Sequence, residues 1–289
     1  SSDGTSLLLD GTAIGGGGGA DLYAANESSP TAQPSATGAN AIAVGELAVA
    51  SGGRSIALGR DAVASSGYAT AIGAGAAGNG ALAAGAGSIA IGDSYASNTE
   101  ATAIQISTTS SSYGAAGANS IAIGQNAKAT STNNVALGYN VITSATYAVA
   151  IGSVNTSSST YATTIGNNNT ASDFGSVAIG RFNTASENDS LAMGFRSNSN
   201  IIGKSAFASG YFGAVGDAQT ATLVLRSDTT DATAEALTTN NSTAGTTNQV
   251  VLPNNSVYGF TGTIIARENS VQTNDFAVWE VKGGAVRAA

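Results

Sequence analysis

Three glycine-rich stretches have the composition of nucleotide-binding loops. Gly73-Ala-Gly75-Ala-Ala-Gly78 fits the dinucleotide fingerprint and follows an apolar segment. That chemistry needs a helix whose N-terminus meets the pyrophosphate. Here Asn79-Gly80 leads through Ala81-Leu-Ala-Ala-Gly85 into another strand pattern, and the glycine repetition of the chain accounts for the match. Gly203-Lys204-Ser205 ends like a phosphate loop, but Asn198 stands where its first glycine belongs. Gly15 to Gly19 is followed by neither Lys-Ser/Thr nor a helical pattern, and reads as a linker. Glu187 and Asp189 could form half of a calcium site or a glycosidase pair. No calcium-loop spacing surrounds them, and with Glu46, Asp61, Asp93 and Asp173 they read as solvated turn charges. The chain has no Cys and no His, which removes disulfides, thiol chemistry and histidine metal sites. No catalytic residue, cofactor or metal site is expected.

A fourth constellation is periodic. Asn155, Asn169 and Asn183 recur every fourteen residues and should stack as a ladder, each amide bonding to the next repeat. The same period runs through the whole middle of the chain. Asn119-Ser-Ile-Ala-Ile-Gly124 is followed by Asn133-Asn-Val-Ala-Leu-Gly138, and further segments close on Gly152, Gly166, Gly180 and Gly194. Upstream, Gly45, Gly59 and Gly73 keep the period. The step to Gly92 is nineteen, the next is thirteen to Gln105, and the next nineteen to Gly124. Five-residue insertions are therefore expected near 74–87 and 106–118, and a final step of sixteen reaches Gly210. A short apolar strand and a glycine at fixed period define a solenoid with one coil per repeat.

With the glycine at position 0, positions −3 and −1 are large and apolar (Val177 and Ile179, for example) and position −2 is small (Ala178). Alternation at period two is a strand with unlike faces. The large residues are expected to fill the coil, and the alanine row to face a neighbouring backbone in a self-associated fibre. The glycine permits a positive φ and a sharp turn. A second strand of small residues follows, with two polar positions between. About eleven intervals at ~4.8 Å give an array roughly 50–55 Å long.

The chain of 289 residues carries 10% charged residues and a net charge of −8, which argues against nucleic-acid binding. No run of eighteen apolar residues exists, so no membrane span is expected. It starts at Ser1 rather than Met, as expected of a piece of something longer. Three regions follow. Residues 1–40 form an N-terminal strand and Gly-rich linker, 41–216 the repeats, and 217–289 a non-repeating antiparallel β module. That module holds 11 of the 28 charged residues. Most of its aromatics, Tyr258, Phe260, Phe276 and Trp279, are expected to be core. Phe276 and Trp279 lie on opposite faces of one strand, and further chain is expected to complete the module.

The pattern Ser-Ile/Val-Ala-Ile-Gly-x-x-Ala-x-Ala at period fourteen, over about 41–213, resembles the head repeats of YadA-like trimeric autotransporter adhesins. It departs from them at Gln105, at the two longer steps, and at Thr70 and Thr163. The resemblance implies a left-handed parallel β-roll in a homotrimer without catalysis. The flanks are similar to stretches of phage tail fibres: Leu7 to Gly15, Gly216 to Thr220, Arg226 to Thr230, Leu252 to Asn255, Ile265 to Arg267 and Trp279-Glu280. This second resemblance implies a virion tail fibre, with two identical chains, further fibre or tail proteins and a host glycan or protein receptor as partners. The alternative is a trimeric adhesin on a bacterial cell surface. Regular coils of Ala, Ser, Thr and Asn are expected to act as a spacer. Possible receptor contacts are Tyr113, in the 106–118 loop, and the neighbouring Tyr95, with principal binding beyond Ala289.

Overall fold

The computed structural model describes residues 7–9, 12–14, 33–75, 80–105, 113–231, 233–268 and 275–288. The glycine run, Gly78 and most of the 106–118 insertion lie outside the described residues. Leu7–Leu9 pairs antiparallel with Thr12–Ile14. The chain divides into two compact units, 1–224 and 225–289.

The first unit is a parallel β-solenoid. Each coil contributes one strand to a longer-stranded sheet, which runs from Ile42–Val44 to Ser205–Ala208, and a two-residue strand to a second sheet, from Ser35–Ala36 to Asn198–Ser199. Register repeats every fourteen residues, as in Val149↔Val135 and Val149↔Thr163. The two longer steps are real: Ile91 pairs with Ile72 and Ile123 with Ile104.

The sign of the alternation is the reverse of the expectation. Position −2 faces inward: Ala122, Ala136, Ala150, Thr164, Ala178 and Ala192 are all buried. Positions −3 and −1 face outward, half-buried or exposed along the whole roll. Four inward columns, at −4, −2, +3 and +5, carry Ala, Ser, Thr or Asn almost without exception. Two short strands joined by tight corners bring the sheets too close for a leucine, so the interior is filled by small side chains. The large apolar residues have no room inside and make an outer face instead.

Up to three corners per coil use positive φ. One is the closing glycine, with φ of 118° at Gly166. A Cβ there would lie 2.0 Å from the carbonyl oxygen of Gly180 in the next coil, so the stacking of backbones excludes a side chain as firmly as the dihedral does. The other two corners, at −5 and +2, are left-handed and mostly not glycine. They hold Asn133, Tyr147, Tyr161 and Asp189 at −5, and Asn140, Val154, Asn168, Phe182 and Arg196 at +2. Gln105 takes φ of 55° where every other coil but the last has glycine.

Two boundaries move. The last coil closes at Ala208, which pairs with Gly194, so the period of fourteen continues and Gly210 lies beyond the strand. No coil stacks on Ala208, and a methyl group is tolerated there. The roll also continues past 216, because Gln219–Thr222 pairs antiparallel with Ser205–Ala208 and covers that sheet edge.

In the second unit Ser256–Arg267 and Phe276–Arg287 form a two-stranded antiparallel sheet. Its aromatics are not core within one chain: Tyr258, Phe260, Phe276 and Trp279 are all exposed, because two strands have no layer to cover them. Tyr258, Phe260, Ile264 and Trp279 share one face, and Phe276 lies on the other. The Phe260 ring lies over its cross-strand partner Gly283 and fills the space of the missing side chain.

Candidate functional site

The outer face of the longer-stranded sheet is the largest functional feature of the roll. It presents Ile42, Ile72, Ile89, Ile121, Ile151, Ile165, Met193 and Phe207, among others, as a continuous apolar strip. A strip of this length has the character of an interface rather than of a solvated surface. Its leading rim is the corner at −7 to −5, and its trailing rim the corner at +1 to +2.

Both rims carry side chains with chemistry. On the leading rim Tyr147 and Tyr161 stack with ring centroids 5.1 Å apart and planes 4° apart, and Phe174 meets Tyr161 edge-on at 5.4 Å. Asp173, Glu187 and Asp189 continue that rim. Burial, and then the charge of Asp173, raise the Glu187 carboxyl above its ordinary range. On the trailing rim Arg181 lies 4.3 Å from the Phe195 ring centroid, and Arg196 lies 3.8 Å from that of Tyr211. Cation–π contact holds both guanidiniums, and neither has a carboxylate partner among the described residues. Arg196 Nε is buried without a hydrogen bond. The acids of the leading rim read from sequence as solvated turn charges, whereas the aromatics at 147, 161 and 174 and the arginines at 181 and 196 stand in columns beside the repeat that its period does not weigh.

The expected asparagine column sits inside the roll. Asn169 Nδ2 donates to Asn155 Oδ1 at 3.2 Å and to the Gly180 carbonyl at 2.8 Å, while its own Oδ1 accepts from the backbone N–H of Asn183 at 3.0 Å. Asn183 repeats this toward Asn169, Gly194 and Ser197. Each amide therefore ties its own coil to the coils on both sides and anchors the glycine corner. Val141 stands in the same column one coil earlier, and it too is fully buried.

Tyr95 is half-buried on the outer side of the short-stranded sheet. Tyr113 is half-buried against the alanine core, in the column that elsewhere holds Ala127 and Val141. The two lie on different sides of their sheet. The Gly203-Lys204-Ser205 segment belongs to the last coil. Lys204 Nζ donates to the Asn198 carbonyl at 2.9 Å and to Asn200 Oδ1 at 3.2 Å, and burial pulls the amine down to about 8. Among the described residues no three His, Cys, Asp or Glu side chains are arranged to hold a metal. The second unit has a polar recess of about 400 Å³. Two of its acids are engaged locally, Asp228 by Asn241 and Glu235 by Ser227.

The geometry of the coils coincides with a family pattern. The family model of the YadA head domain repeat matches residues 36–62, 50–76, 115–140, 157–182 and 171–197. Those five segments are similar to YadA head repeats. The matched segments hold coils with the small inward residue and closing glycine described above, while the first nineteen-residue step falls largely between them and the second in part. No curated protein matches the chain. Within the described residues no helix is long and apolar enough to cross a membrane. The YadA head is a structural and adhesive framework.

Proposed function

We propose that this chain is one of three identical strands of an extracellular fibre segment, which holds and spaces receptor-binding parts for host attachment. The observation that carries the reading is the inside-out distribution of apolar residues. The coil interior is alanine, serine and asparagine, and the isoleucines form a strip along the outside. A lone roll would leave that strip in water, whereas three rolls side by side bury it. The YadA head repeats imply the same trimer.

The fibre is a phage tail fibre in this reading, because the flanks on both sides of the roll resemble tail-fibre sequence. A trimeric adhesin on a bacterial surface is the second reading, favoured by the YadA head match itself. In both, the roll spaces, and catalysis has no part. Tyr95 keeps a half-exposed ring for receptor contact, whereas Tyr113, packed on the core, offers less.

Sedimentation equilibrium of the chain tests the trimer, which should have three times the mass of the 28.0 kDa monomer. A folded monomer at micromolar concentration would overturn it. Antibody raised against the roll should decorate tail fibres on virions. Decoration of bacterial cells alone would select the adhesin.

A further inference from the structure

The rims of the apolar strip are charged in a pattern that a single chain leaves unanswered. Toward the C-terminal end of the roll the trailing rim carries Arg181 and Arg196, and the leading rim carries Asp173, Glu187 and Asp189. Toward the N-terminal end the acids are answered within the chain: Arg60 is salt-bridged to Glu46 at 3.2 Å and to Asp61 at 3.6 Å, both acids are nearly buried, and the half-exposed Arg60 is what the trailing rim presents there. Arg54, Arg181 and Arg196 have no carboxylate partner among the described residues; Arg54 instead donates to the Tyr68 hydroxyl at 2.6 Å. Opposite charges thus occupy the same coils but opposite edges of the sheet. Asp189 lies five residues before Gly194, and Arg196 two residues after it.

We propose that the two rims of the strip pair by charge between neighbouring copies of this chain. Arg181 and Arg196 of one copy then lie against Asp173, Glu187 and Asp189 of the next. The inference rests on the trimer reading above and adds what orients and registers the copies. A closed threefold ring joins unlike edges, leading rim to trailing rim, at equal height. Charge complementarity of the rims is then satisfied toward the C-terminal end. Sliding one copy by several coils takes the arginines away from the acids, so the pairing acts against wrong registers. At mid-roll Glu100 and Asp93 give both rims the same sign, and the matching belongs to the C-terminal end.

The test uses the full chain. Wild type, Arg181→Glu/Arg196→Glu, Glu187→Arg/Asp189→Arg and the four-site exchange are compared by sedimentation equilibrium, with circular dichroism to follow the fold. Each pair variant should raise the dissociation constant of the trimer roughly tenfold or more, and the four-site exchange should recover most of that loss. Trimers that ignore the pair variants, or an exchange no tighter than either pair, would overturn the rim pairing. The second outcome is what a role confined to stacking on Phe195 and Tyr211 within one chain would give. A wild-type monomer would instead overturn the trimer itself. Should a pair variant fail to fold, Asp189→Cys/Arg196→Cys decides the matter. Oxidation should yield covalent species up to three chains, and monomers alone would sink the proposal.

Discussion

The side-chain amide of Gln219 bonds both backbone polar groups of Asn198: Asn198 N–H donates to Oε1 at 2.8 Å, and Nε2 donates to the Asn198 carbonyl at 2.9 Å. The amide takes the place of the missing next strand on the short-stranded sheet. Gln219 also begins the strand that covers the other sheet, so one residue closes both edges.

Gln219→Ala should therefore uncover Asn198 at a cost of about 1–3 kcal/mol. Thermal denaturation of the full chain should show the loss, and thioflavin binding should rise as the edge becomes available to other chains. Unchanged stability would mean that water satisfies Asn198 equally well.

Gly166→Val should be among the most damaging single substitutions in the roll. It combines a β-branched residue at φ of 118° with a Cβ placed 2.0 Å from a carbonyl oxygen. Strain alone costs about 1–3 kcal/mol, and the clash adds to it. Differential scanning calorimetry should show the whole roll melting earlier, because coils on both sides lose a neighbour.

Val154→Asn should do the reverse. Val154 holds φ of 57° at an exposed corner where neighbouring coils place Asn140 and Asn168. Asparagine tolerates that region far better than valine, and a gain of about 1 kcal/mol is expected in the same assay.

Lys204 gives the roll a signature at alkaline pH. Its folded value of about 8 is below the ordinary lysine value. Below about pH 8 both states are protonated and burial of the charge costs stability in full. Between there and roughly pH 10.4 the folded state releases its proton first, so stability rises with pH. Lys204→Met should raise the melting temperature at pH 7 and flatten that rise. A lower melting temperature at pH 7 would show that the bonds to Asn198 and Asn200 outweigh the burial.

The period, the strand and the corner glycine were legible because backbone stacking forbids a side chain at Gly166 and leaves no choice of residue. The alternation was legible too, but not which side was the inside. Ala178 and Ile179 read equally well either way until the coil's width is known, and the width follows from left-handed corners at Tyr161 and Phe182 that no residue type announces. The step to Gly210 misled because any glycine near the expected distance attracts the assignment, although the last coil needs none. Phe260 and Trp279 read as core on the assumption that one chain must cover its own aromatics, and the second unit does not.

Strands that stack rung upon rung have a mechanical consequence. Tension between the two ends of a roll loads the ladder bonds one rung at a time rather than all together. Extension should therefore proceed from a terminus in jumps of one coil, each releasing fourteen residues, or roughly 45 Å of contour. The asparagines at 155, 169 and 183 bridge successive rungs, so those coils should yield last. Under pull the force–extension trace should be a sawtooth of small, even teeth, highest over that stretch.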